Sequence, residues 1–382
     1  MASAPTDKQR ELRAASRPLS GHGKLDIAGE LERVARLIRD EDIKPDHYGA
    51  GAYVEEFESE LAELFGYEAA RFMPSGCMAQ PIAMRIWAAR KGIARIGMHP
   101  TSHLELHEEF GYRELHGLGA ELLPPLTEAD RPTLARDLAA AVRGSACAGA
   151  PLAALLVELP AREIGGQLPS WTELCELSDL ARTAGVALHL DGARIWEAEA
   201  AYERPLAEIA GHFDSAYVSF YKGIGALPGA MLLGDADLIA EAAVWQRRAG
   251  GTLHNHLPAV VSARTRIASR RERMPRFRAR AREIAALFRA HAPDHVGLVP
   301  APPQTNMFHL VATAGSPEEW SARRDHAMAE TGIFLTFGWH PPAAHQSPST
   351  TAWTEMVMSD ASLELEDDAI EQALRVFFGA NP

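Results

Sequence analysis

The sequence predicts an α/β protein with a mostly parallel central sheet, followed by a smaller α+β domain. Three observations carry that expectation. From about Ala70 short apolar runs alternate with turns and helical stretches, the rhythm of strand–helix–strand units. The runs are largely apolar throughout, as strands covered on both faces must be. At 382 residues the chain is also longer than one compact core usually holds.

Residues 1–24 are polar and rich in Arg, Ser and Ala, and read as an N-terminal arm. Apolar positions at helical spacing mark Asp26–Asp40 and Val54–Phe65. In a large domain spanning 25–255, strands are expected at Ala70–Met73, Ile93–Met98, Leu152–Leu159, Val186–Leu190, Ala216–Phe220 and Ala230–Leu233. Ser170–Ala184 is long enough to be a crossover helix. Around residue 250 the texture changes. Leu257–Leu287 is Arg-rich and helical in pattern, with Pro275 as its expected kink or break. Strands at Met307–Val311, Ile333–Thr336 and Thr354–Met358 follow, with helices at Pro317–Thr331 and Leu365–Phe378. Residues 256–382 therefore read as a linking helix and a small α+β domain.

A formal net charge of −13 argues against a nucleic-acid backbone or an anionic membrane as partner, while leaving room for a local basic pocket. Cys77, Cys147 and Cys175 lie far apart with no CxxC spacing, so neither a metal site nor a disulfide framework is expected. The first twenty residues carry Asp7 and Glu11 and lack a continuous apolar core, and no apolar run approaches bilayer-spanning length. A cytoplasmic location is the expectation.

Four segments fall after expected strands, the side of an open α/β sheet where ligands bind. In His189-Leu190-Asp191-Gly192-Ala193-Arg194, an acid closes an apolar strand and an arginine follows. Such a pair suits a heteroaromatic ring. Pyridoxal phosphate (PLP) needs a carboxylate at its pyridine nitrogen and gains from a cation near its phenolic oxygen. A strand-end turn with a surface ion pair is the plainer reading. Lys222, in Tyr221-Lys222-Gly223-Ile224-Gly225, stands where an apolar strand gives way to small residues. There it could be a desolvated nucleophilic amine, although taken by itself a solvated lysine is the better reading. Ser75-Gly76-Cys77 at a helix start offers backbone N–H groups to a phosphate, or simply an N-cap serine. His103 and His107 with interleaved acids suggest a metal helix, a ring-stacking histidine or an acidic surface; the HExxH order is absent.

Together the segments resemble the threonine aldolase and β-eliminating lyase family of fold-type I PLP enzymes. Matching stretches are Tyr48-Gly49 with Val54 and Phe57-Glu58, Ser75-Gly76-Cys77-Met78-Ala79, and His103 with Glu108. They continue through Gly165-Gly166, His189–Arg194, Lys222-Gly223-Ile224-Gly225, Gly250-Gly251, Thr305-Asn306-Met307 and Asp360. The resemblance implies a homodimer or homotetramer with active sites between subunits, acting on a small amino acid. It implies that Lys222 carries PLP as a Schiff base, that Asp191 pairs with the pyridine nitrogen and that Arg194 reaches the phenolic oxygen and the substrate. Ser75, Gly76 and Cys77 would cradle the phosphate, His103 would stack on the ring, and Tyr48 would reach the neighbouring subunit's site.

The departures fall on substrate handling and phosphate contacts. Cys77 replaces a usual threonine, and His254 stands where an arginine usually follows the Gly-Gly pair, as a cofactor contact. Thr354 or Glu355 replaces the arginine that usually holds the substrate carboxylate. Ser20-Gly21-His22-Gly23 replaces a Ser-Asp-Thr-Val-Thr start, leaving Ser20 as a substrate contact. Leu159–Glu163 lacks a usual histidine but contains Arg162, which is expected to supply the missing fork for the carboxylate. The expected reaction is retro-aldol cleavage of a β-hydroxy-α-amino acid to glycine and an aldehyde, with His103 or His107 as base. The alternatives are β-elimination from a substituted alanine at the same site, or a non-catalytic PLP-binding protein. A dinucleotide-binding protein is disfavoured because no GxGxxG follows an early strand.

Overall fold

The computed structural model describes residues 7–22, 26–122, 142–143, 151–343 and 346–379. Gly23 and Cys147, singled out above, lie outside them. The chain divides into two compact units. One comprises Asp26–Ala161 and Leu168–Glu272; the other comprises Met1–Leu25, Arg162–Gln167 and Arg273–Pro382.

The first unit is built on a seven-stranded sheet. Its order is Ala69–Met73, Ala230–Gly234, Ser215–Ser219, Ala187–Gly192, Ala154–Glu158, Arg95–Met98 and Gly119–Leu122. All pairings from Ser215–Ser219 to Gly119–Leu122 are parallel, and Ala230–Gly234 runs antiparallel to both neighbours. The central strands Ala154–Glu158, Ala187–Gly192 and Ser215–Ser219 are buried along their whole length, which is why they read as largely apolar runs. Gly119–Leu122 is an edge strand of half-buried and exposed residues, too polar to register as an apolar run.

Helices cover the sheet for local reasons that are visible in the sequence. Trp171–Ala184 starts at a capping box between Ser170 and Glu173 and stops at Gly185, whose φ of 68° is left-handed. The helix Gly76–Lys91 contributes to two packed cores. Ala79, Ile82, Ala83 and Ile86 pack with Met73, Ala230, Leu232 and Ala242. Met84 and Ala88 pack with Ile96, Met98, Ala154 and Leu156. A start pinned from both sides is a rigid place to mount a ligand contact.

In the second unit Met307–Ala312 lies between Ala352–Val357 and Val296–Val299, antiparallel to both. Phe288, Phe308, Leu310, Trp320, Trp339, Met356 and Phe377 form its core. The N-terminal arm is more ordered than its composition suggests. It carries the helix Asp7–Ala15, and Arg17–Pro18 pairs in parallel with Ile333–Phe334. The helix Leu257–His291 continues through Pro275, so the chain does not break there. Pro275 sits on an exposed face, so water can satisfy the carbonyl that the missing N–H abandons. Among the described residues, no helix is long and apolar enough to cross a membrane.

Candidate active site

The parallel register sets the site. Asp191 lies opposite Glu158 on one neighbouring strand and Tyr217 on the other, near the carboxyl end of Ala187–Gly192. It is 1% exposed. Its Oδ1 accepts the Ala193 N–H at 3.0 Å, while Oδ2 is buried and has no hydrogen-bond partner among the described residues. An unpartnered buried carboxylate oxygen is costly, so this position suits a ligand donor. His189, on the same strand, is a core residue. Its Nδ1 meets Ser215 Oγ at 2.8 Å, and burial drives its pKa down to about 3, keeping the ring neutral. Arg194 caps the helix Ile195–Tyr202 by position, without a side-chain cap bond, and its charge reaches Glu197 and Tyr221.

Lys222 stands two residues beyond the buried Phe220, in a turn closed by Gly225 N–H donating to the Lys222 carbonyl at 3.0 Å. Its Nζ lies 5.8 Å from the Tyr221 ring centre, and its charge reaches both Cys77 and Glu197.

The turn at Ser75 opens the helix Gly76–Lys91. Ser75 occupies the N-cap with extended backbone but makes no side-chain cap bond, and the first turn holds no acid. The positive helix end is thus available to an anion. A Cβ on Gly76 would stand 2.2 Å from the Tyr217 hydroxyl, so only glycine lets the helix start approach that ring so closely. Tyr217 is the same residue that faces Asp191 across the sheet. One buried tyrosine therefore sits between the phosphate-type turn and the carboxylate.

His103 begins the short helix His103–Leu106, and its Nδ1 meets Glu108 Oε1 at 2.9 Å. The Glu108 side chain is 3% exposed. The His107 ring lies 5.0 Å from that of His103, tilted by 49°. Glu105 is engaged elsewhere, accepting the Tyr112 hydroxyl at 2.7 Å. Cys77 Sγ, a His103 ring nitrogen and a Glu108 carboxylate oxygen all lie within 4.8 Å of one another. Burial, followed by the Glu108 charge, pushes the Cys77 thiol above its ordinary pKa. Asp191, Arg194, Lys222, the 75–77 turn and His103 are thus brought together in one unit.

Tyr48 and His254 form a second group in that unit. Their rings lie 5.3 Å apart, with His47 5.5 Å from His254. Asp46 pins this loop through bonds from the N–H groups of Gly49, His256 and Leu257, leaving Tyr48 52% exposed. Ser20 and Arg162 belong to the other unit. The Ser20 hydroxyl bridges the Val357 backbone, donating to its carbonyl at 3.1 Å and accepting its N–H at 2.9 Å. The Arg162 guanidinium is held by Glu163 at 2.7 Å and Glu355 at 2.7 Å. Glu355 is one of the two residues standing where the resemblance expects an arginine. An arginine and a carboxylate from distant parts of the chain therefore meet there.

Sequence reasoning missed three residues of the site: Tyr217, Arg270 and Glu197. Arg270 donates from Nε to the Gly223 carbonyl at 3.2 Å. Glu197 is 3% exposed. The one available signal was an acid in the helix that directly follows His189–Arg194, beside Trp196 and Ala198.

Pyridoxal phosphate fits this donor set. The orphaned Asp191 Oδ2 matches a protonated ring nitrogen, the open helix start matches a phosphate, and Lys222 lies within electrostatic reach of that turn.

Comparison with known proteins agrees. The Beta-eliminating lyase family model matches residues 37–330. Aldolase vrtJ of Penicillium aethiopicum is 32% identical over 292 residues, covering 74% of this chain and 71% of that protein. A candidate L-allo-threonine aldolase from Listeria monocytogenes EGD-E superposes with a TM-score of 0.86 at 36% identity, covering 96% of this chain and 97% of its own. A candidate aromatic amino acid beta-eliminating lyase/threonine aldolase from Exiguobacterium sp. 255-15 gives 0.84 at 36% identity, over 96% and 98%. The architecture is that of fold-type I PLP enzymes.

Proposed function

This chain belongs to the beta-eliminating lyase family, and from that premise we propose that it cleaves a β-hydroxy-α-amino acid to glycine and an aldehyde. It is a lyase whose cofactor is PLP. The finer reading, aldol cleavage, rests on the His103–Glu108 pair. Breaking the Cα–Cβ bond of such a substrate requires removing the β-hydroxyl proton. A histidine whose Nδ1 is tied at 2.9 Å to a buried carboxylate is fixed in orientation, with its other nitrogen left to take a proton.

In this reading Lys222 anchors the cofactor covalently, and Ser75, Gly76 and Cys77 hold its phosphate at the helix start. Asp191 holds a proton at the pyridine nitrogen, and Arg194 faces the phenolic oxygen. Bound PLP supplies the electron sink for the pair left on Cα. His103 takes the hydroxyl proton as the Cα–Cβ bond breaks and the aldehyde carbonyl forms, and return of that proton to Cα completes glycine. Tyr48, exposed on its pinned loop, suits a role in a neighbouring subunit's site within a homodimer or homotetramer. Arg162 is assigned the substrate carboxylate, which would have to compete with Glu163 and Glu355 for its guanidinium.

Two substitutions test these roles. Glu108→Gln keeps the shape but removes the charge behind His103. A lost charge-assisted bond of about 1.5–3 kcal/mol corresponds to a fall in kcat of roughly 10- to 100-fold. The cofactor's visible band is expected to persist; an unchanged kcat contradicts the role. Arg162→Ala is expected to raise KM for the best amino acid by roughly 10-fold or more, with kcat less affected. Steady-state kinetics in which KM does not move removes Arg162 from the site. The function itself is tested by supplying threonine and phenylserine to the PLP-loaded protein. Equimolar glycine and aldehyde are expected. A keto acid and ammonia instead would indicate β-elimination, and no turnover of any β-hydroxy or β-substituted amino acid would indicate a PLP-binding protein without catalysis.

A further inference from the structure

Glu197 lies in the first turn of the helix Ile195–Tyr202, directly after the strand-end segment that carries Asp191 and Arg194. It is buried, and Oε2 has no hydrogen-bond partner among the described residues. Its neighbour on the same helix, Glu199, is by contrast held by Arg271, which donates from Nε at 3.0 Å. A Cβ built on Gly223 would stand 2.5 Å from Glu197 Oε1 and 2.9 Å from Oε2. The carboxyl is therefore seated against the backbone of the turn that begins at Lys222. On the other side of that turn, Arg270 from the long helix donates to the Gly223 carbonyl. The cationic groups that face Glu197 are Arg194 at the start of its own helix, Arg270 on Leu257–His291, and Lys222 in the turn.

We propose that Glu197 is a positioning residue for Lys222, its carboxyl controlling through charge how readily the lysine nitrogen holds a proton. The inference rests on Lys222 being the cofactor lysine. An ionised Glu197 stabilises the protonated form of that nitrogen and raises its pKa; a neutral one does not. Burial is the largest influence on Glu197 itself and pushes its pKa up to about 7, against the pull of Arg194, Arg270 and Lys222. The carboxyl thus changes charge in the range where an enzyme works. Glycine at 223 is needed for this contact, because any side chain there would displace the carboxyl.

The test is the pH dependence of the visible absorbance band of the PLP-loaded protein, with thermal unfolding as a control for folding. For Glu197→Gln, the midpoint is expected to fall by up to about one unit. Glu197→Asp keeps the charge but withdraws it from the turn, so an intermediate midpoint is expected. Either variant alone suffices if the other fails to fold. Midpoints in folded, PLP-loaded variants that coincide with that of the unsubstituted protein overturn the proposal. A band that survives in Lys222→Ala overturns the assignment of Lys222 first, and the two failures are distinguishable.

Discussion

Lys222→Ala protein supplied with PLP is expected to lack the visible absorbance band and to lose at least about a thousand-fold in aldehyde-releasing turnover. The size follows from position. Lys222 sits three residues beyond the buried strand end Ser219, in a turn that Gly225 closes, and its charge reaches Cys77 at the anion-ready helix start. Its amine would meet a cofactor whose phosphate is proposed to rest on residues 75–77. Removing the amine deletes the covalent anchor while leaving the turn's backbone bonds intact, so the loss falls on chemistry rather than folding. The comparison to make is turnover against the thermal unfolding midpoint. Turnover within tenfold of the unsubstituted protein contradicts the assignment.

The second large effect is expected at Asp191→Asn. Asparagine can still accept the Ala193 N–H through Oδ1, so the strand end keeps its shape. It cannot supply the charge that Oδ2 now offers without a partner among the described residues. Truncating one side of a buried, hydrogen-bonded charge pair costs about 2–5 kcal/mol. If that whole loss falls on the transition state, kcat/KM drops by roughly 30- to several thousand-fold. If Asp191 is the partner of the pyridine nitrogen, as proposed, the substitution would weaken the ring's capacity to draw electrons from Cα. Kinetics on the PLP-loaded variant decide the matter, and a change of less than threefold would show that the ring charge is unimportant here.

Much of this was legible because the chemistry sits at the ends of buried parallel strands. Such strands are buried along their whole length and largely apolar, so Asp191 near the end of one and Lys222 just beyond another stand out. The turn at Ser75 was legible for a related reason, lying between the strand Ala69–Met73 and a long helix. Other features depend on partners far away in the chain. Arg17–Pro18 becomes a strand only because Ile333–Phe334 lies beside it, and nothing in two residues announces that. Gly119–Leu122 is completed by Arg95–Met98, with little burial of its own. Arg162 carries no local sign of meeting Glu355.

The buried acid was missed for a different reason. Glu197 falls in a helix that also bears Glu199, and helical spacing does not distinguish an acid held by an arginine from one pressed against a turn. Only the fold brings Gly223 to it. Tyr217 was likewise read as one apolar strand residue among several, although its ring is what Gly76 must approach and what faces Asp191.

The central claim is that one lysine carries the cofactor in this lyase. Borohydride reduction of the PLP-loaded protein, followed by proteolysis and mass mapping, tests it most directly. The account predicts a reduced pyridoxyl group on the peptide that contains Lys222 and on no other. A modified peptide that lacks Lys222, or complete loading with no lysine modified, would contradict it.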